Sequence, residues 1–297
     1  MKKHWEHDWR LQGRMLFTMF LLAAVYLFFL AFLSYAGTPP IFMLLFVGGF
    51  MAIQYFYSDK MVLWSTGAHL VSESEEPKLH EMITRLCAIA DIPKPRVAVV
   101  QTSVPNAFAT GRNPNNAVVA VTTGIMDKLN SGELEAVLAH ELTHVKNRDV
   151  MVMTLASFLS TIAFYFVRYI LYFGNMGMGN RRRNGEGGGI ILVWIISLVV
   201  WLISYLLIRA LSRYREFAAD RGSAIITGQP SNLVSALMKI SGLMERVPSE
   251  DLRKVEGMNA FFIIPAISGS SIMNLFSTHP SIEKRIAALE KIEKEMS

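Results

Sequence analysis

The chain has 297 residues, 52% of them hydrophobic and only 18% charged, with a mean hydropathy of +0.33, too apolar for an ordinary soluble protein of this size. The net charge of +5 reads as the cytoplasmic flanks of membrane segments. No basic run interleaved with aromatics points to nucleic acid, which is excluded as a partner.

Residues 15–36 are almost continuously apolar and uncharged, long enough to span a bilayer. Lys2, Lys3, Arg10 and Arg14 precede them and place the N-terminus in the cytoplasm. A signal peptide is the competing reading, but Thr38-Pro39-Pro40 makes a turn and a second apolar stretch, residues 41–57, follows at once. Residues 1–58 therefore read as a membrane hairpin that returns the chain to the cytoplasm.

Residues 59–149 are soluble in character. Leu79, Met82, Ile83, Leu86 and Ile89 form a helical stripe that ends before Pro93 and Pro95. Cys87 lies in that helix as a packed core thiol and, being alone, makes no intramolecular disulfide. Residues 96–101 read as a strand, 106–110 as a second extended piece, 111–116 as a turn and 117–122 as a third strand.

The next segment carries the chemistry. Asn130-Ser131-Gly132-Glu133 is a capping-box pattern, and Leu134, Val137, Leu138, Leu142 and Val145 recur at helical spacing behind it. Within this helix lies His140-Glu141-Leu142-Thr143-His144. Residues four apart share a helix face, so His140 and His144 can grip one zinc ion. Glu141 can reach a water on that metal, the metalloprotease arrangement.

Residues 150–208 read as a second membrane hairpin. Arg168 is the only charge in 150–174, residues 175–189 are glycine-rich, and 190–208 are apolar again. Arg181, Arg182 and Arg183 at its tip conflict with the positive-inside rule if the hairpin crosses fully. Soluble character returns over 209–297. Residues 257–276, broken by Pro265 and Gly269, read as a loop or membrane-surface segment, and 281–293 as a helix.

A catalytic zinc keeps three protein ligands and one open position. Glu216 and Asp220 are four apart, so one could ligate while the other orients a histidine. Their composition alone is equally consistent with solvated helix carboxylates among arginines. If Glu216 is the third ligand, the intervening apolar pair must return the chain to its starting side. The site then lies in the cytoplasm near the membrane.

Four patterns, in order, now agree with a known family: Asn106-Ala107-Phe108-Ala109-Thr110-Gly111, His140 to His144 with Asp149 beyond, Arg215-Glu216-Phe217-Ala218-Ala219-Asp220, and Ser277-Thr278-His279-Pro280-Ser281 with Arg285. The chain resembles the HtpX family of bacterial membrane zinc metalloproteases, relatives of the CAAX prenyl endopeptidase. The resemblance covers essentially the whole chain. It implies an α+β, thermolysin-like (gluzincin) protease domain interrupted by membrane hairpins, with one zinc ion held by His140, His144 and Glu216. It also implies Asp220 and Asp149 as supports of the ligands, and Asn106, Ala107, Phe108 and Ala109 as a substrate-binding strand edge. His279 or Arg285 would donate to the developing oxyanion. His4, His7, His69 and His80 have no partner at ligand spacing.

The expected protein is a multi-pass endopeptidase of a bacterial cytoplasmic membrane, its active site on the cytoplasmic side. Its expected substrates are misfolded or damaged membrane proteins or unfolded polypeptides, itself included. Two other readings remain: a prenyl-protein processing protease, and a membrane chaperone with a structural zinc. Structural zinc usually has four ligands, cysteines among them, which Cys87 alone does not provide. The sequence leaves oligomeric state and regulation open.

Overall fold

The computed structural model describes residues 9–36, 40–154, 156–158, 160–164, 167, 187–244 and 279–296. The chain forms two compact units, one of Phe56–Met151 with Ser212–Ser297, the other of Trp9–Tyr55 with Val152–Leu211. The described helices include α1 (Trp9–Tyr35), α2 (Pro40–Thr66), α3 (Pro77–Ala90), α4 (Thr123–Lys128), α5 (Ser131–Lys146), α6 (Gly187–Thr227), α7 (Pro230–Met244) and α8 (Ile282–Met296), and described residues between 149 and 164 are helical as well. The strands are β1 (His69–Leu70), β2 (Arg96–Val100), β3 (Ala107–Thr110) and β4 (Val118–Thr122), so the fold is helical with one small sheet.

In the first unit the sheet order is β1-β2-β4-β3. β2 and β4 are parallel, with Ala98 opposite Ala120, while β3 runs antiparallel to β4, with Phe108 opposite Ala120. All five residues of β4 are buried, as expected of a central strand covered on both faces. Their neighbours include Ile83 and Leu86 of α3, Val137, Leu138 and Leu142 of α5, and Leu233 and Leu237 of α7.

Helix α5 starts where the sequence says it should. The Asn130 side chain accepts from the Glu133 N–H, and the Glu133 carboxylate accepts from the Asn130 N–H. Such a cap is worth about 1 kcal/mol. Glu133 also accepts from Ser235 Oγ at 2.6 Å and Lys239 Nζ at 2.8 Å, which fastens the motif helix to α7.

Three features differ from the sequence reading. β1 is two residues long, too short for any periodicity to register. α2 runs on to Thr66 past Asp59 and Lys60, because Asp59 pairs with Arg96 at 2.9 Å and Val62 and Leu63 pack on the core. α6 is one helix of 41 residues that carries both the apolar run and the charged run Arg213–Asp220. Its charges find partners, so nothing stops the helix at Arg209.

In the second unit, Phe29, Leu33, Phe158, Ile162, Ala163 and Val200 form one cluster, and Leu22, Tyr26, Ala156 and Leu211 another. The opposite faces expose Leu16, Phe17, Phe20, Leu27 and Leu202. Helices apolar all round belong in a bilayer or a large core. Among the described residues, Trp9–Tyr35 and Ile191–Thr227 are long and apolar enough to cross a membrane. The expectations for Arg168, Arg181 to Arg183 and residues 257–276 lie outside the described residues.

Candidate active site and metal centre

One turn of α5 sets His140 and His144 side by side. Their Nε2 atoms stand 3.2 Å apart, with the rings nearly perpendicular. Glu216 of α6 closes the triangle, its Oε2 3.6 Å from His140 Nε2 and its Oε1 3.6 Å from His144 Nε2. α6 can come this close because of two small residues. A Cβ on Gly222 would sit 2.3 Å from a Thr143 methyl, and Ser223 Oγ donates to the Ala136 carbonyl of α5 at 2.7 Å.

Each histidine is held from behind by a carboxylate, and each carboxylate by an arginine. His140 Nδ1 lies 3.0 Å from Asp220, which takes two bonds from Arg285, from Nε at 2.8 Å and from an Nη at 2.6 Å. His144 Nδ1 is bonded to Asp149, which lies 3.1 Å from Arg215 Nε. Asp149 reaches back because the chain leaves α5 through Asn147 and then Arg148, whose φ of 55° is left-handed. Asp220 and Asp149 thus each stand beside one of the two histidines. The sequence gives Arg215 no role of its own and does not single out Gly222. Only the spacing Arg215–Glu216–Asp220 on one helix hinted at the first.

These contacts decide what the site can hold. An imidazole that donates from Nδ1 presents a lone pair at Nε2. Two such lone pairs and a buried carboxylate oxygen converge on one point, which is unfavourable unless a cation sits there. Ligand atoms placed tetrahedrally around a zinc-sized ion lie about 3.4 Å apart. The observed 3.2, 3.6 and 3.6 Å fit that spacing. No other cluster of three such donors is found among the described residues. Burial would lower the pKa of His140, but Asp220 and Glu216 outweigh it and push the ring up to about 9. A metal must therefore compete with a proton at this histidine.

Glu141, 5% exposed, turns toward β3, and its carboxylate accepts the Ala109 N–H. Burial raises its pKa, against the pull of His140 and His144. β3 is an edge strand among the described residues. Thr122 N donates to Asn106 O, so by alternation Phe108 and Thr110 face β4 with their backbone groups while Ala107 and Ala109 turn theirs outward. The Phe108 side chain is buried in the core and Asn106, Ala107 and Thr110 are buried too, which leaves Ala109 as the partly open residue of this stretch.

His279 Nδ1 lies 3.1 Å from Glu216 Oε2, and an Arg285 Nη lies 3.5 Å from the same oxygen. Arg285 is only 1% exposed and is committed to Asp220 and Glu216. His80 bonds the Val71 carbonyl, far from any ligand set, and His69 the Gly67 carbonyl. His4 and His7 lie outside the described residues.

Residues 73–293 match the model of peptidase family M48. This chain belongs to that family. A Methanosarcina acetivorans protein named Protease HtpX homolog 2 is 80% identical over 297 residues, all of both chains. The Protease HtpX homolog of Moorella thermoacetica is 60% identical over 296 residues, covering 100% of this chain and 99% of that one. The crystal structure of S. mikatae Ste24p matches with a TM-score of 0.54 at 16% identity, over 95% of this chain and 67% of that one. As an M48 peptidase of the HtpX group, the chain is a membrane metalloprotease with a Ste24p-like fold. Its relatives span archaea and bacteria, so family membership alone does not assign it to a bacterium.

Proposed function

We propose that this M48 member is a zinc endopeptidase that cuts cytoplasmic parts of misfolded membrane proteins or unfolded chains. One observation carries the reading: the two Nε2 lone pairs and the Glu216 carboxylate converge beside a buried Glu141 that touches an edge strand. Two imidazoles and one carboxylate suit zinc and leave room for a fourth, non-protein ligand. Such an ion, when bound, supplies Lewis acidity for a water and for the scissile carbonyl.

The chain's own residues do the rest. His140, His144 and Glu216 hold the ion, and Asp220 and Asp149 fix the ring orientations. An extended substrate lies against Ala109, whose carbonyl can bond its main chain while its N–H is held by Glu141. Glu141 takes the proton of the attacking water and hands it to the leaving nitrogen as the C–N bond breaks. His279 assists the developing oxyanion, while Arg285, tied to Asp220, positions ligands instead.

The thermolysin-like assignment belongs to the same proposal and rests on a motif helix behind an edge strand. So do the arrangement of membrane hairpins at 1–58 and 150–208 around a protease domain of 59–149 and 209–297, and the cytoplasmic placement of the site. They draw support from the long apolar helices α1 and α6 and from the basic residues ahead of α1.

The test compares wild type with Glu141→Gln, both purified in detergent under chelation and reloaded with zinc. We expect equal metal content, with self-cleavage and cleavage of an unfolded membrane protein lost only in the variant. Equal cleavage by the two would remove Glu141 from the mechanism.

A further inference from the structure

The left-handed turn that brings Asp149 onto His144 has a second consequence. It places Arg148, an exposed residue, at the rim of a shallow surface hollow. Ala109, Thr110 and Gly111 line one wall of that hollow, and His144, Val145, Asp149 and Val150 the other. Gly111 holds its wall close: its φ is 122°, and a Cβ there would meet Asn116 O at 2.3 Å. The acid in the hollow, Asp149, is already taken by His144 and Arg215. Arg148 is exposed, its backbone N–H donates to the Val145 carbonyl, and no hydrogen bond or ion pair engages its side chain among the described residues. The hollow is therefore mostly apolar with one uncompensated positive charge at its mouth.

Its position relative to the chemistry is fixed by β3. Glu141 accepts the Ala109 N–H, so the scissile bond lies near Ala109, and the hollow begins there and continues past Gly111. On the endopeptidase reading, a substrate extended along this edge would pass Glu141 and then bring a side chain to the hollow that Arg148 lines.

We infer that Arg148 and this hollow form a substrate subsite for an acidic side chain, a few residues to one side of the scissile bond. The inference rests on the endopeptidase reading above and deepens it. Arginine presents a planar fork of donors that matches a carboxylate. A rim-exposed pair of this kind changes specificity by a modest factor, roughly three- to fivefold in kcat/KM for Glu over Gln.

The experiment uses the full chain in detergent, loaded with zinc. Peptides carry Glu, Gln or Lys at each of the three positions on either side of the bond. The variants are Arg148→Asn and Arg148→Asp, because Asn and Asp tolerate the left-handed backbone that other residues strain. The readout is the ratio of kcat/KM between Glu and Gln peptides within each enzyme, so a general loss of activity does not move it. Wild type should favour Glu at one position, on one side only. Arg148→Asn should bring that ratio to about one, and Arg148→Asp should reverse it in favour of Lys. Wild-type cleavage with no Glu preference, or a preference that survives in Arg148→Asn, overturns this inference and leaves the endopeptidase reading standing. Failure of the zinc-loaded wild type to cut any peptide or protein overturns both.

Discussion

The two histidines of the site are supported by the same device in two different dielectric settings. On the His140 side, His140, Asp220 and Arg285 are each about 1% exposed, and Arg285 reaches in from α8, far along the chain. On the His144 side, Asp149 is equally buried at 1%, but the His144 and Arg215 side chains flanking it are both 12% exposed, and Asp149 follows α5 almost directly. Where water is absent, each partner depends on the next, and the loss of one strands a buried charge. Where water enters, it substitutes in part for a missing partner. The same three-part chain should therefore be brittle behind His140 and tolerant behind His144.

The largest effect should come from Arg285→Met, which leaves Asp220 buried without its cation. It should cost about 3–5 kcal/mol in a thermal or denaturant melt of the metal-free protein. Adding Asp220→Asn to Arg285→Met should recover part of that loss, since the stranded charge is then gone. A melt equal to wild type for Arg285→Met would end the idea that the buried side is the brittle one.

Next come the ligand supports themselves. Asp220→Asn and Asp149→Asn should each weaken zinc binding, by about 10–100-fold in competition with a chelator. The Asp220 change should be the worse of the two. A larger loss for Asp149→Asn would reverse the comparison. Arg215→Gln should weaken zinc binding less than either, because water reaches that side.

The smallest effect lies outside the site and calibrates the others. Glu133 joins the α5 cap to Ser235 and Lys239. Burial would raise its pKa, but the bonds from Lys239, Ser235 and the Asn130 N–H outweigh that and hold it below the usual carboxylate value. A folded pKa below the unfolded one contributes stability above the unfolded value, about 4.3, that disappears as pH falls through the folded value. Glu133→Gln should therefore be less stable than wild type near neutrality, and the gap should close in acid. Melting curves between neutral pH and pH about 3 would measure it; a gap that widens in acid would refute the linkage.

What the sequence disclosed follows the same division. His140, Glu141, His144 and the capping box are local patterns, readable from spacing along one helix. Glu216 and Asp220 were readable as a pair on one face, but composition alone did not say which of them faces the histidines, and the resemblance to HtpX supplied that choice. The pairing of Arg285 with Asp220 joins residues 65 apart in sequence, and no periodicity encodes it. That is why only the resemblance brought Arg285 to the site, where it clamps Asp220. Gly222 against Thr143 is likewise a contact between helices, legible only once both are in place. α2 and α6 outran their expected ends because charged residues stop a helix in sequence reasoning, whereas here Asp59 and Glu216 find partners within the fold.

The central claim is that His140, His144 and Glu216 together bind one catalytic metal ion. It is tested most directly by metal content and X-ray absorption at the metal edge, on wild type and Glu216→Gln purified in detergent and reloaded with zinc. We predict one zinc per chain in wild type, with two imidazole nitrogens and oxygen in its shell, and weak or substoichiometric zinc in Glu216→Gln. Zinc bound equally tightly with an unchanged shell in the variant would contradict Glu216 as the third ligand, and with it this account of the site.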